Sequence, residues 1–241
     1  MRTPSMNIRD EVTALKRERT IAAAVELFYE RGYENTTLDA VAERLGVTKP
    51  FIYAHFSSKA ELLGEICSRG IASAAEAMNA ALKQPCSPTE RLALLGRGFV
   101  TAVLQNQRHI AIFAREEKNL APQDLARIGN MRRDFDRRLT ELISEGIAKG
   151  EFKVADPQLT ALAIGGMVSW AYVWYRQKGR LSLAEIADGM SALMLSMAKA
   201  TPAAQLHRAN RAADQGSAGA VAPSSPVKPK RPSPARRPMR R

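Results

Sequence analysis

Six side chains between Thr37 and Lys59 suit the holding of phosphate rather than the breaking of bonds: Thr37, Thr48, Lys49, Tyr53, His55 and Lys59. Hydroxyls and free backbone N–H groups at a helix start attract an anion, because the helix dipole places partial positive charge there. Lys49 heads a short helix, from which it reaches a phosphate or a guanine edge, and Phe51 and Ala54 offer apolar contact of the kind that meets thymine methyls. Nothing comparable gathers for catalysis. The chain has no phosphate loop, no Gly-x-Ser-x-Gly and no nucleophile with a histidine at hand. Cys67 and Cys86 show no zinc-ligand spacing, and His55 has no partner at a useful distance in sequence. Neither an enzyme, a metal centre nor a cofactor is expected.

Positioning these side chains requires a specific helical unit. Leu38, Val41, Ala42 and Leu45 repeat at helical spacing, and Gly46 supplies the backbone freedom for a tight turn. Ala42 is small where a second helix must cross closely. Val47 and Ile52 fill the angle between the two helices, and the Thr48 hydroxyl is expected to cap the second. Pro50 is tolerated in a first helical turn because its missing N–H would have had no intrahelical partner. This is a helix-turn-helix over residues 38–56.

The rest of the body reads as helix, with no convincing alternation of apolar and polar residues. Helices are expected over residues 12–31, with Gly32 as a left-handed cap, and from a Ser58–Glu61 capping box onward. Further helices are expected over 89–105, 109–117 and 122–148, from Pro157 to before Gly179, and over 182–199. The fold class is therefore all-α. It divides into a flexible arm at 1–11, a DNA-binding domain at 12–57, a helical body at 58–200 and a disordered tail at 201–241. Seven of the 13 prolines lie in that tail, a composition that buries too little apolar surface to offset the entropy of ordering. Nine Lys and Arg against Asp214 give it +8 of the formal net charge of +12. Such a tail suits a polyanion, adding salt-sensitive and sequence-independent affinity, and equally suits simple solubility. Residues 157–175 carry no charge, yet Gln158, Thr160, Gly165, Gly166 and Ser169 make a buried interface helix the better reading than a membrane span. No export signal is visible, and a cytoplasmic protein is expected.

Two further sets of residues lie in the body. Gly165 and Gly166 permit close approach of backbones, and Met190, Leu193, Met194 and Met197 form a stripe on the final helix. These are expected to form a two-fold interface, since two recognition helices one DNA turn apart bind far better than one. Met167, Trp170 and Trp174 share a helical face, and Phe113, Met131 and Phe135 add apolar lining for a small hydrophobic effector. The same aromatic stripe would serve equally as core or interface.

Thr36-Thr37, Val41-Ala42, Leu45-Gly46-Val47-Thr48-Lys49, Tyr53, His55-Phe56 and Lys59 together resemble the N-terminal domain of the tetracycline-repressor (TetR) family. The resemblance is strong over residues 12–66 and continues through the body as a helical layout. It implies that Tyr53, His55 and Lys59 grip DNA phosphates, that the last two helices pair with their copies, and that the protein is a homodimeric repressor of a palindromic operator. Pro50 departs from the glycine usual at its place, which puts a backbone contact to a base in doubt. Residues 169–186 resemble a C-terminal signature of regulators of fatty-acid, steroid and aromatic-acid breakdown, which implies release by acyl-CoA thioesters. Arg115, Arg132 and Arg138 could meet the phosphates of such a ligand, or form a solvated face with Glu116, Asp134 and Asp136. An architectural DNA-binding protein without an effector is the alternative.

Overall fold

Six of the ten α-helices among the described residues start at a residue whose side chain caps them. The computed structural model describes residues 7–199; the expected tail at 201–241 and the first six residues of the expected arm lie outside the described residues. Asn7 accepts the Arg9 N–H and opens α1 (Ile8–Arg31), so that helix begins four residues earlier than its apolar pattern indicates. Thr37 accepts the Ala40 N–H and opens α2 (Leu38–Leu45). α3 (Lys49–Tyr53) follows Thr48, and α4 (Lys59–Leu82) starts at Ser58, whose hydroxyl accepts the Glu61 N–H. Ser87 with Glu90 and Ser182 with Glu185 form reciprocal capping boxes before α5 (Pro88–Gln105) and the last helix. Between them run α6 (Gln107–Glu116), α7 (Pro122–Ala148), α8 (Pro157–Ser169) and α9 (Ala171–Trp174), and the last helix is α10 (Leu183–Ala198). The all-α class is as expected.

The helix expected from Pro157 to before Gly179 is shorter and divided. The chain leaves helical geometry at Tyr175, and the Gln107 side-chain amide donates to the carbonyls of Tyr172 and Tyr175, at 2.7 and 3.1 Å. Carbonyls at a helix end need such partners when no further turn follows. Gly32 has a positive φ of 82° but an extended ψ of 160°, so it is not the left-handed cap expected. Gly46, at φ 65° and ψ 33°, is left-handed.

Two apolar cores form. One joins Ile21, Val25 and Phe28 of α1 to Val41, Ala42, Ile52, Phe56, Leu62 and Ile66. The other joins Leu92, Leu95, Leu139, Ile143, Ile164, Val168 and Met194. α4 belongs to both, with Leu62, Leu63 and Ile66 in the first and Ala74 and Met78 in the second. Among the described residues, no helix is long and apolar enough to cross a membrane.

Candidate nucleic-acid interface and effector pocket

α3 is held from beneath. Ile52 and Phe56 are fully buried and Ala42 nearly so, while Val47 packs against the same core half-buried. Truncating an anchor of this kind costs about 2–5 kcal/mol, which is why a five-residue helix keeps a fixed orientation. Its outer surface is left to solvent: Thr48, Lys49, Pro50, Tyr53 and Ala54 are exposed, as is Thr37 at the start of α2. Tyr53 is 54% exposed, which rules out a core role and leaves its hydroxyl free to donate outward.

A groove of about 420 Å³ lies beside Tyr53, lined by Thr37, Asp39, Ser57, Ser58 and Lys59. The starts of α2 and α4 both open onto it, so two helix dipoles add partial positive charge there, of the sign that suits an anion. Sequence reasoning missed Ser57 and Ser58. The Ser58–Glu61 pattern was legible as a helix start, but nothing in the sequence told that this start faces Thr37. The Glu61 carboxylate accepts from the Ser57 hydroxyl and N–H at 2.7 and 2.8 Å, which lowers its pKa.

One expectation is corrected here, and two side chains are held more tightly than expected. The Thr48 hydroxyl makes no capping bond, although its backbone is extended as a cap requires. Lys59 is not a free arm: its ammonium donates to the Tyr33 carbonyl at 2.9 Å and lies 4.2 Å from the Tyr33 ring centre, tying the segment after α1 to α4. Phe51 is only partly exposed, with its ring edge-on to His55 at 5.3 Å and its other side in the core. The His55 carbonyl accepts from Arg17 at 2.9 Å, so α1 braces the end of α3. Lys49 pairs with Asp39 at 2.5 Å; that hydrogen bond and charge raise its pKa and keep it cationic.

In the body, an apolar pocket of about 140 Å³ lies among α4, α5, α7 and α8, lined by Ile71, Ala74, Phe99, Phe135, Leu162 and Gly165, with Arg132 and Asp136 as its charged members. Burial raises the Asp136 pKa, against the opposing pull of the Arg132 guanidinium. Of the six expected lining residues only Phe135 is present, 4.6 Å from Phe99 ring to ring. Phe113 packs on the other core under Arg132, Met167 packs on the body core, and Met131 is half-buried outside the pocket. Trp170 and Trp174 are 62% and 47% exposed and do not line it.

The expected interface is likewise redrawn. Met190 and Met194 are buried in their own chain's core, and Met197 packs there half-buried. Gly165 lines the pocket, so only Gly166 and Leu193 of that set face outward. α10 lies directly on α5: the Ser191 hydroxyl donates to the Ala93 carbonyl at 2.9 Å, and Gly96 leaves the space that Ser191 fills.

Comparison with known proteins agrees with this architecture. Residues 21–66 match the model of bacterial regulatory proteins of the tetR family, and residues 85–198 match the tetracyclin repressor-like C-terminal domain. A transcriptional regulator of the TetR/AcrR family from Thermobifida fusca is 34% identical, covering 74% of this chain and 96% of its own, with a TM-score of 0.61. AibR in complex with isovaleryl coenzyme A and operator DNA is 28% identical, covering 74% of this chain and 97% of its own, with a TM-score of 0.64. The transcriptional activator FasR of Mycolicibacterium smegmatis is 29% identical over 120 residues, 50% of this chain and only about half of FasR itself, at 53%. With its helix-turn-helix, its helical body and these likenesses, the chain belongs to the TetR family of DNA-binding transcriptional regulators.

Proposed function

We propose that the chain is a cytoplasmic homodimeric repressor, released from a palindromic operator by a small hydrophobic effector of the acyl-CoA class. The observation that carries this reading is the course of α4. Its N-terminal half shares one core with Ile52 of α3 through Leu62, Leu63 and Ile66, and its C-terminal half supplies Ile71 and Ala74 to the apolar pocket. A ligand that widens the pocket pushes on a helix whose other half lies in the core beneath the recognition helix. A coupling of about 1–3 kcal/mol would change operator affinity by roughly 5–150-fold.

The pocket limits the acyl group. A cavity of about 150 Å³ holds a molecule the size of benzene, so 140 Å³ suits a short branched or cyclic acyl group rather than a long chain or a steroid. Asp136 and Leu162 also line an outer groove of about 450 Å³ with Arg133, Arg137, Thr140 and Gln158. Glu141 lines it too and pairs with Arg137, so its charges balance and the groove serves as an opening from the pocket to solvent. AibR, with its isovaleryl coenzyme A, offers a precedent. Whether the ligand releases or promotes binding depends on which conformer it prefers; FasR is named an activator.

The test is fluorescence anisotropy on DNA from upstream of the protein's own coding sequence, with and without a panel of acyl-CoAs of increasing length. Tight binding to a palindrome is expected, weakened most by acyl groups of about five or six carbons. Specific binding indifferent to the whole panel would remove the effector, and equal binding to scrambled DNA would favour an architectural role.

A further inference from the structure

A cleft of about 600 Å³ lies where the end of α1 meets α6 and α9, lined by Tyr29, Gln107, Arg115, Tyr172, Tyr175 and Arg176. It is separate from the effector pocket and shares no residue with it. Among the described residues, Arg115, Arg176 and the neighbouring Arg108 have no carboxylate within ion-pair distance, whereas Arg17, Arg44, Arg69 and Arg91 all do. Unpaired guanidiniums on a helical surface ordinarily extend into water, but these are held. Arg115 donates to the carbonyls of Phe28 and Tyr29 at 3.2–3.4 Å, and Arg176 donates to those of Val173 and Tyr175 at 3.0 and 2.9 Å. A guanidinium has five N–H donors in a fixed fork, so both keep donors to spare. The Tyr29 ring lies 5.5 Å from Arg108 and 5.2 Å from Arg115.

This arrangement suits a ligand with two kinds of surface. A bare phosphate would leave the tyrosine rings and Ala111 unused, and an apolar molecule would leave the arginines unmet. A flat ring joined to phosphates satisfies both, by stacking on tyrosine and bridging the guanidiniums. The volume falls within the range of small-molecule sites. We propose that this cleft binds a phosphorylated nucleoside, either a free nucleoside diphosphate or the nucleotide end of coenzyme A. The site has a route to the DNA. Arg115 grips the last turn of α1, whose end leads through Gly32 and Thr36 into α2. A ligand drawing Arg115 toward its phosphates resets that grip, and occupancy therefore alters operator affinity. The proposal does not rest on the acyl-CoA reading.

The experiment is isothermal titration of the full chain with ADP, coenzyme A and inorganic pyrophosphate, at a salt concentration that suppresses loose binding to the basic tail. The tail is identical in wild type and variants, so differences between them report the cleft. ADP is expected to bind more tightly than pyrophosphate, and Arg176→Gln and Tyr172→Leu are each expected to weaken it tenfold or more. Both variants should keep wild-type melting and ligand-free operator binding. Coenzyme A weakened in parallel by the two variants would assign its nucleotide end to the cleft; ADP alone so weakened would assign a free nucleotide. Pyrophosphate binding as tightly as ADP, no ADP binding, or ADP binding unchanged in both variants would overturn the proposal. Release of operator by acyl-CoA, read by anisotropy, would stand or fall separately.

Discussion

Cys67 and Cys86 show how far environment divides two identical side chains. Cys67 lies on the buried face of α4, where burial pushes its thiol up to about 12, while Cys86 sits half-exposed before α5. The thiolate is the reactive form. Maleimide at pH 8 should therefore give one adduct, on Cys86, in the native protein; two adducts formed at similar rates would contradict the packing of α4. His109 carries a second residue-level prediction. Burial first, and the nearby Arg69 guanidinium second, lower its pKa against the pull of Glu18. The unfolded chain therefore binds this proton more readily, and stability falls as pH drops from about 6.5 through the lower folded value. His109→Gln should flatten that part of a melting-temperature profile and leave unchanged the loss at still lower pH, where Glu18, Glu61 and Glu145 protonate.

Glycines separate strain from space at the scale of the elements. Gly46 is left-handed with open space around a would-be Cβ, so Gly46→Ala should cost only the strain of that backbone, about 1–2 kcal/mol. Gly146 of α7 lies directly under the Phe152 ring, which an alanine methyl would have to displace. Chemical denaturation should find Gly146→Ala the more damaging, by about 1–3 kcal/mol of overpacking or more; the reverse order would refute the placement of Phe152. The same scale shows what the sequence made legible. Ala42, Gly46 and Ile52 have roles that only one local geometry satisfies, so the helix-turn-helix could be read residue by residue. α8 and α10 are rich in apolar residues on more than one face: α8 buries Ala161, Ile164 and Val168 while exposing Leu159 and Leu162. Periodicity then finds a helix without telling which face turns inward. Met190 and Met194 therefore read from sequence as an interface stripe, although they lie in the core, and Trp170 and Trp174 read as pocket, core or interface alike. The pocket was obscure for a different cause, because Ile71, Phe99, Asp136 and Leu162 come from four helices that only tertiary packing unites.

For the whole molecule, the proposed homodimer would pair through the outward faces of α8 and α10. Leu193 is 54% exposed, and Leu159, Gly166 and Trp170 are exposed on the neighbouring helix. Placing a charge there leaves the monomer core untouched but buries an unpaired ion in a dimer. Leu193→Glu should shift sedimentation from dimer toward monomer with helix content intact; an unshifted dimer would place the interface elsewhere. The measurement closest to the central claim is operator binding by Lys49→Ala/Tyr53→Ala, followed by anisotropy over a salt series beside wild type. Both side chains are exposed, so melting should be nearly unchanged. Affinity should fall at least tenfold, with a salt slope shallower by about one for the lost lysine contact. Wild-type affinity and slope in that variant would contradict the assignment of α3 and its groove as the DNA-reading surface.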